Sequence, residues 1–159
     1  MNKPYMKNTR LRNYDYSSPG YYFITICSNF RKEIFCQIIE ENGQINTKLS
    51  SIGQIINFSW ERINALYDYV ETDAFCIMPN HIHGIIIIKE GGQGRPPLQK
   101  IIQGFKSVTA RQTFKYGYNT IWQRSYYEHI IRSELEYRKI LEYIETNPLK
   151  WKEDEYFKA

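Results

Sequence analysis

The sequence predicts an α+β domain, a ferredoxin-like antiparallel sheet with helices packed on it and a further C-terminal helix. Runs rich in β-branched and aromatic residues recur four times. Two amphipathic stretches separate them in the order β-α-β-β-α-β, and a third helical stretch follows. With 159 residues, 42% of them hydrophobic and 16% aromatic, the chain can bury one substantial core without metal or disulfide staples.

Residues 1–20 mix Lys, Arg, Asn and Tyr and close on Ser17-Ser18-Pro19-Gly20, so they read as a basic arm ahead of a single domain spanning 21–159. Tyr21 to Cys27 is the first strand. Asn42-Gly43 marks a turn, and Ile52, Ile55, Ile56, Ile63 and Leu66 give a helix over 51–67 with Ser50 or Ser51 as its cap. Val70–Met78 and Ile82–Lys89 are near-continuous apolar runs joined through Pro79-Asn80, an antiparallel pair for the centre of the sheet.

Gly91 to Pro97 is a glycine- and proline-rich loop. Leu98, Ile101, Ile102, Phe105 and Val108 then recur at three- and four-residue steps. They leave Lys100, Gln103, Lys106, Ser107 and Arg111 on the outer face of a basic helix. A fourth extended segment is expected from Thr120 to about Ile131. Ser133-Glu134-Leu135-Glu136 resembles a capping box that opens the last helix, and Pro148 is expected to end it at Asn147.

Net charge is only +4, but it is unevenly spread: +4 over residues 1–33, −4 over 34–94, +6 over 95–132 and −2 over 133–159. Two basic segments that converge would form a surface for a polyanion, with aromatic rings to stack on unpaired bases. No apolar run approaches the roughly 20 residues that span a bilayer. The first residues hold no apolar stretch of the secretory kind. Cys27, Cys36 and Cys76 are odd in number with no C-x-x-C spacing, which suits a reducing, cytoplasmic setting.

The most specific local feature is Pro79-Asn80-His81-Ile82-His83-Gly84. Histidines two apart on a strand project to one side, so both imidazoles can address a single metal ion. The same pair could equally be hydrogen-bonded sheet residues. On the last helix Tyr143 and Asn147 are four apart and share a face. Spacing alone does not choose Tyr143 over Tyr126, Tyr127 or Tyr137, and an Asn before Pro148 is as readily a helix terminator as a ligand. His129 reads as a sheet histidine.

Three ordered motifs carry a resemblance that bears on these options: Phe75 to His83, Ile121 to Arg132, and Glu142-Tyr143-Ile144-Glu145-Thr146-Asn147-Pro148. Together they resemble the single-tyrosine HUH transposases of the IS200-like kind, above all those associated with repetitive extragenic palindromes. The likeness runs from about Tyr21 to Trp151. It implies that Tyr143 is a nucleophile and that His81, His83 and Asn147 hold a divalent cation, Mg²⁺ or Mn²⁺. Two imidazoles by themselves would suit Mn²⁺ or Zn²⁺ better than Mg²⁺.

The partner implied is single-stranded DNA with a hairpin, cleaved and rejoined through a 5′-phosphotyrosine. Relatives occur both as monomers and as dimers, so a homodimer is possible. Phosphate-contact candidates are Lys7, Arg10, Arg12, Lys100, Lys106, Arg111 and Lys115, with Trp122 and Tyr126 as stacking candidates. Two other readings fit parts of the chain. A non-catalytic nucleic-acid-binding module could stack bases on Tyr22 and Phe23, although no RNP-type signature is present. A metal-dependent hydrolase of another phosphodiester would use water in place of Tyr143.

Overall fold

In the computed structural model residues 10–157 are described; Lys7 lies outside them. A four-stranded antiparallel sheet has the order β4-β5-β1-β6, formed by β1 (Gly20–Cys27), β4 (Val70–Met78), β5 (His81–Ile88) and β6 (Tyr127–Ile131). Its two central strands, β5 and β1, pair along their whole length from Gly20 opposite Ile88 to Cys27 opposite His81. They are the most apolar strands of the chain, as residues covered on both faces must be.

Because side chains alternate along a strand, the sheet has two differently used faces. On one, Ile24, Ile26, Ile82 and Ile86 pack against α1 (Ser51–Glu61) and α3 (Leu98–Thr113) through Ile56, Trp60, Ile101 and Ile102. Each such fully buried side chain contributes ~1.5–3 kcal/mol. On the other, Phe23, Ile85 and Ile131 meet Ile144 of α4 (Glu134–Thr146). That second face carries His81 and His83.

Local signals explain the helix ends. Ser50 Oγ accepts the Gly53 amide at 3.0 Å to cap α1. Ser133 Oγ accepts the Glu136 amide at 3.1 Å to cap α4, while the Glu136 carboxylate accepts the amide of Arg132 at 2.8 Å, one residue ahead of the cap. A β-bulge in β4 between Thr72 and Phe75 brings Asp73 to the Tyr137 hydroxyl, which donates to Oδ2 at 2.6 Å and ties α4 to the sheet edge.

Four expectations are corrected. Residues on both sides of Asn42-Gly43 form a separate hairpin, β2 (Cys36–Glu41) with β3 (Gln44–Leu49). The helix over 51–67 breaks at Arg62, after which only a single turn, α2 (Ile63–Leu66), follows. The fourth strand begins at Tyr127; the stretch before it touches the sheet only through a Ser28–Trp122 bridge. Pro148 does not push Asn147 out of the α region. Asn147 has φ −57 and ψ −43, and the chain runs on as a 3₁₀ helix over Asn147–Glu153. Proline in that first turn lacks an amide hydrogen the helix would not have used.

Ahead of β1, Tyr16 is buried and its carbonyl accepts the Leu98 amide at 3.1 Å. Tyr22 is fully buried, with its hydroxyl donating to Ser18 O at 2.7 Å, and Phe23 is 9% exposed. Neither ring offers a face to a base, which removes the basis for the RNA-recognition-like reading. Among the described residues no helix is long and apolar enough to cross a membrane.

Candidate active site

The site is built from the β4–β5 turn outward. Pro79 O and Asn80 O accept the amides of Phe35 and Ser28 at 3.0 and 2.8 Å, which pins the turn to the end of β1. Asn80 is fully buried, and its Nδ2 donates to Tyr156 O at 2.7 Å and faces Arg31 O at 3.4 Å. Both partners are acceptors, so the amide nitrogen is fixed and Oδ1 points at His81 Nδ1, 2.8 Å away. His81 must therefore carry its proton on Nδ1 and present a lone pair on Nε2.

His81 Nε2 lies 3.0 Å from His83 Nε2, and His83 Nδ1 lies 2.7 Å from Thr25 Oγ1 on the neighbouring strand. A hydroxyl both donates and accepts, so Thr25 serves either tautomer of His83. With the proton on Nε2, His83 donates to His81; with the proton on Nδ1, both Nε2 lone pairs face one point. Burial holds both imidazoles neutral. It lowers His83 to about 3 and His81 well below its ordinary value, the latter with help from His83 and Arg31. Neutral imidazoles are the ligand form.

The last helix supplies the phenol and the amide. Tyr143 is 40% exposed, yet its hydroxyl turns inward and lies 3.3 Å from His83 Nε2, with the ring edge-on to the imidazole. Burial of that hydroxyl and the Asp154 and Glu155 carboxylates push the phenol above its ordinary value, against a smaller lowering by the Asn147 side chain. One turn on, Asn147 is 4% exposed and its Oδ1 has no hydrogen-bond partner. So β5 and α4 bring Tyr143, His81, His83 and Asn147 to one place.

The donor set fits a divalent cation. Two neutral imidazole nitrogens face each other and a buried amide oxygen beside them is left without a hydrogen, an arrangement that costs energy unless a positive centre receives the lone pairs. Asp154, which sequence reading missed, joins them: one donor atom from each of His81, His83 and Asp154 lies within 4.8 Å of the others. Thr25 and Asn80 were missed as well. A lone Thr in a β-branched strand and an Asn in a turn carry no signal of their own.

The DNA-contact candidates lie elsewhere. Arg10, Lys106, Trp122 and Tyr126 converge with Gln103 and Arg124 on a groove of about 480 Å³, on the side of the sheet that carries α3. Trp122 is part of the core: it is 5% exposed, 5.0 Å from the Phe35 ring, and donates from Nε1 to Thr109 Oγ1 at 2.8 Å. Lys106 is half-buried and donates to Gln123 O and Arg124 O at 2.6 and 3.1 Å, which differs from the solvent-facing position expected. The Arg10 guanidinium lies over the Tyr126 ring at 5.4 Å and 3.3 Å from the buried Glu128 carboxylate. Arg12, Lys100, Arg111 and Lys115 are exposed. His129 pairs with Glu136 and not with the histidine cluster.

Comparison with known proteins agrees with this architecture. Residues 16–147 match the family described as "Transposase IS200 like". The chain is 38% identical over 170 residues to an uncharacterized protein of Haemophilus influenzae, across 95% of this chain and 92% of that one. It is 30% identical over 80 residues to the REP-associated tyrosine transposase of Escherichia coli (strain K12), across 50% of this chain and 45% of that one. A solved REP-associated tyrosine transposase bound to a REP hairpin has the same fold. Its TM-score is 0.65 at 23% identity, over 90% of this chain and 74% of that one.

Proposed function

This chain belongs to the IS200-like transposase family, and from that premise we propose that it cleaves and rejoins single-stranded DNA through a 5′-phosphotyrosine on Tyr143. The observation that carries the proposal is the 3.3 Å separation between the Tyr143 hydroxyl and His83 Nε2, which places a phenol of α4 beside a cation-fitting donor set. The substrate is taken to be single-stranded DNA with a hairpin; the solved protein of like fold is bound to a REP hairpin.

In the reaction the Tyr143 oxygen forms a bond to the scissile phosphorus while the bond from phosphorus to the 3′ oxygen breaks. The phenol gives up its proton, and the departing strand takes one as a free 3′-hydroxyl. Attack by a 3′-hydroxyl reverses the step on the same or another strand, so joining needs no nucleotide cofactor. A raised phenol is a poor nucleophile at neutral pH and needs nearby positive charge. His81, His83 and Asn147 would hold a divalent cation, Mg²⁺ or Mn²⁺, which would supply positive charge at the transferring phosphoryl group. His81 and His83 stay unprotonated through burial, Asn80 and Thr25 set their ring orientation, and α4 aims Tyr143 along the same line.

The hairpin and its flanks would be held by charge. Arg10, Lys100, Arg111 and Lys115 are the phosphate contacts proposed, with Tyr126 at the groove as a stacking partner. A labelled single-stranded hairpin incubated with Mn²⁺ tests the proposal. The parent protein should yield a shortened strand and a protein-linked strand. Tyr143→Phe should yield neither, and His81→Ala should lose cleavage while still shifting the hairpin on a gel. Cleavage by Tyr143→Phe at the parent rate would instead mean that water is the nucleophile.

A further inference from the structure

The C-terminal turn that follows α4 reaches back into the site. After the 3₁₀ helix, the Asp154 amide donates to Trp151 O and Asp154 O accepts the Phe157 amide, both at 3.0 Å, so the turn is closed on itself. Asn80 Nδ2 holds it to the sheet through Tyr156 O at 2.7 Å. The Tyr156 ring then lies 4.3 Å from the His81 ring. The turn is thus a fixed wall of the histidine cluster.

Within that wall Asp154 has two differently used oxygens. Oδ1 accepts the Tyr156 amide at 2.7 Å, which fixes the carboxylate plane. Oδ2 points to the cluster, 3.8 Å from His81 Nε2, and has no hydrogen-bond partner; the side chain is 2% exposed. A buried carboxylate with one oxygen unsatisfied is costly, and His81 Nε2, the histidine nitrogen facing it, offers a lone pair and no hydrogen, because Asn80 keeps the His81 proton on Nδ1. Asn147 Oδ1 is the second buried oxygen in the same condition. The donor atoms of His81, His83 and Asp154 lie within 4.8 Å of one another, and the Asn147 side chain is close enough to interact with His81, Tyr143 and Asp154.

We propose that Asp154 Oδ2 is a direct ligand of the divalent cation, completing a set of His81, His83, Asn147 and Asp154 in which strand, helix and C-terminal turn each contribute. The inference rests on the metal site of the proposed function and extends it. A carboxylate oxygen changes the chemistry of the site: it brings a negative charge and a hard donor beside the two imidazoles, which raises its affinity for hard divalent cations such as Mn²⁺ and Mg²⁺ over that of the imidazoles alone. It also makes the cation a tie between the turn and the sheet.

Asp154→Asn tests the ligand and leaves the Tyr156 contact intact, since the amide oxygen can take the place of Oδ1. Calorimetric titration of the full chain with Mn²⁺ should show at least tenfold weaker binding than the parent. The rise in melting temperature caused by Mn²⁺ should shrink, while the metal-free melting temperature stays near that of the parent. Parent-like Mn²⁺ affinity in Asp154→Asn, with weakened affinity in His83→Ala, would overturn the assignment and leave the proposed function standing. Parent-like affinity in both variants would remove the metal site itself. Should Asp154→Asn fail to fold, crystals of the parent chain with Mn²⁺ decide: an anomalous peak bonded to Oδ2 supports the assignment, and one that leaves Oδ2 unbonded overturns it.

Discussion

The Tyr143 hydroxyl lies 3.3 Å from His83 Nε2, although 60 residues separate the two along the chain. The approach is made across the sheet face opposite α1 and α3. It depends on α4 packing through Ile144 onto Phe23 and Ile85, and on Tyr137 anchoring the helix to Asp73. Anything that shifts α4 by a turn would separate phenol and imidazole, so packing and chemistry are coupled in this region.

Thr25→Val removes the hydroxyl at His83 Nδ1 with little change of volume. Groups that orient a metal-binding histidine typically carry 10–100-fold in metal affinity. Calorimetry should show a Mn²⁺ affinity loss in that range, with a stability change of only ~1 kcal/mol in urea melts. Unchanged affinity would mean that His83 is oriented by packing alone.

Asn80→Ala should be more damaging, because one side chain serves both His81 Nδ1 and Tyr156 O. Buried partners left unsatisfied cost ~1–3 kcal/mol each, so chemical denaturation should show a loss of at least that size together with weakened Mn²⁺ binding. Asn80→Asp keeps an acceptor for His81 but removes the donor to Tyr156 O. It should retain more metal affinity than Asn80→Ala.

Gly84 follows the second histidine for a packing reason. A Cβ there would lie 2.5 Å from the Trp60 ring, which stacks on Phe75 at 4.4 Å on the far face of the sheet. Gly84→Ala should lower stability by ~1–3 kcal/mol through overpacking. A smaller residue at 60 in the same chain should recover part of the loss. Full stability in the single variant would show that Trp60 moves freely.

Neutralising Lys100, Arg111 and Lys115 together should weaken hairpin binding without touching the histidine cluster. Removing one lysine or arginine from a phosphate lowers the slope of log affinity against log salt by ~0.7 for single strands and ~0.9 for duplex. Binding titrations across a salt series should therefore give a shallower line. An unchanged slope would move the DNA surface to another part of the molecule.

The sheet and its three principal helices were legible because each rests on strong periodicity, whereas the juxtaposition of β5 with the last helix followed only from the family resemblance of the three ordered motifs. Ile24, Ile82 and Ile86 mark buried strands in any context, and His81-Ile82-His83 states its own geometry. The β2–β3 hairpin was missed because its residues are largely exposed and do not alternate in polarity around Asn42-Gly43. Trp122 looked like a stacking residue because rings in the core and rings at a nucleic-acid surface are the same in one dimension. Asp154 was hidden between Glu153 and Glu155, where an acidic run reads as solvated charge and only the fold shows which carboxylate is turned inward.

The central claim is that Tyr143 becomes covalently bonded to DNA beside the histidine pair. Mass spectrometry of peptides after incubation with a single-stranded hairpin and Mn²⁺ measures this directly. The peptide carrying Tyr143 should gain the mass of a 5′-phosphorylated strand less one water, and the gain should vanish in Tyr143→Phe and in the presence of a chelator. A nucleotide adduct on any other tyrosine, or nicked DNA with no adduct on the protein, would contradict the account.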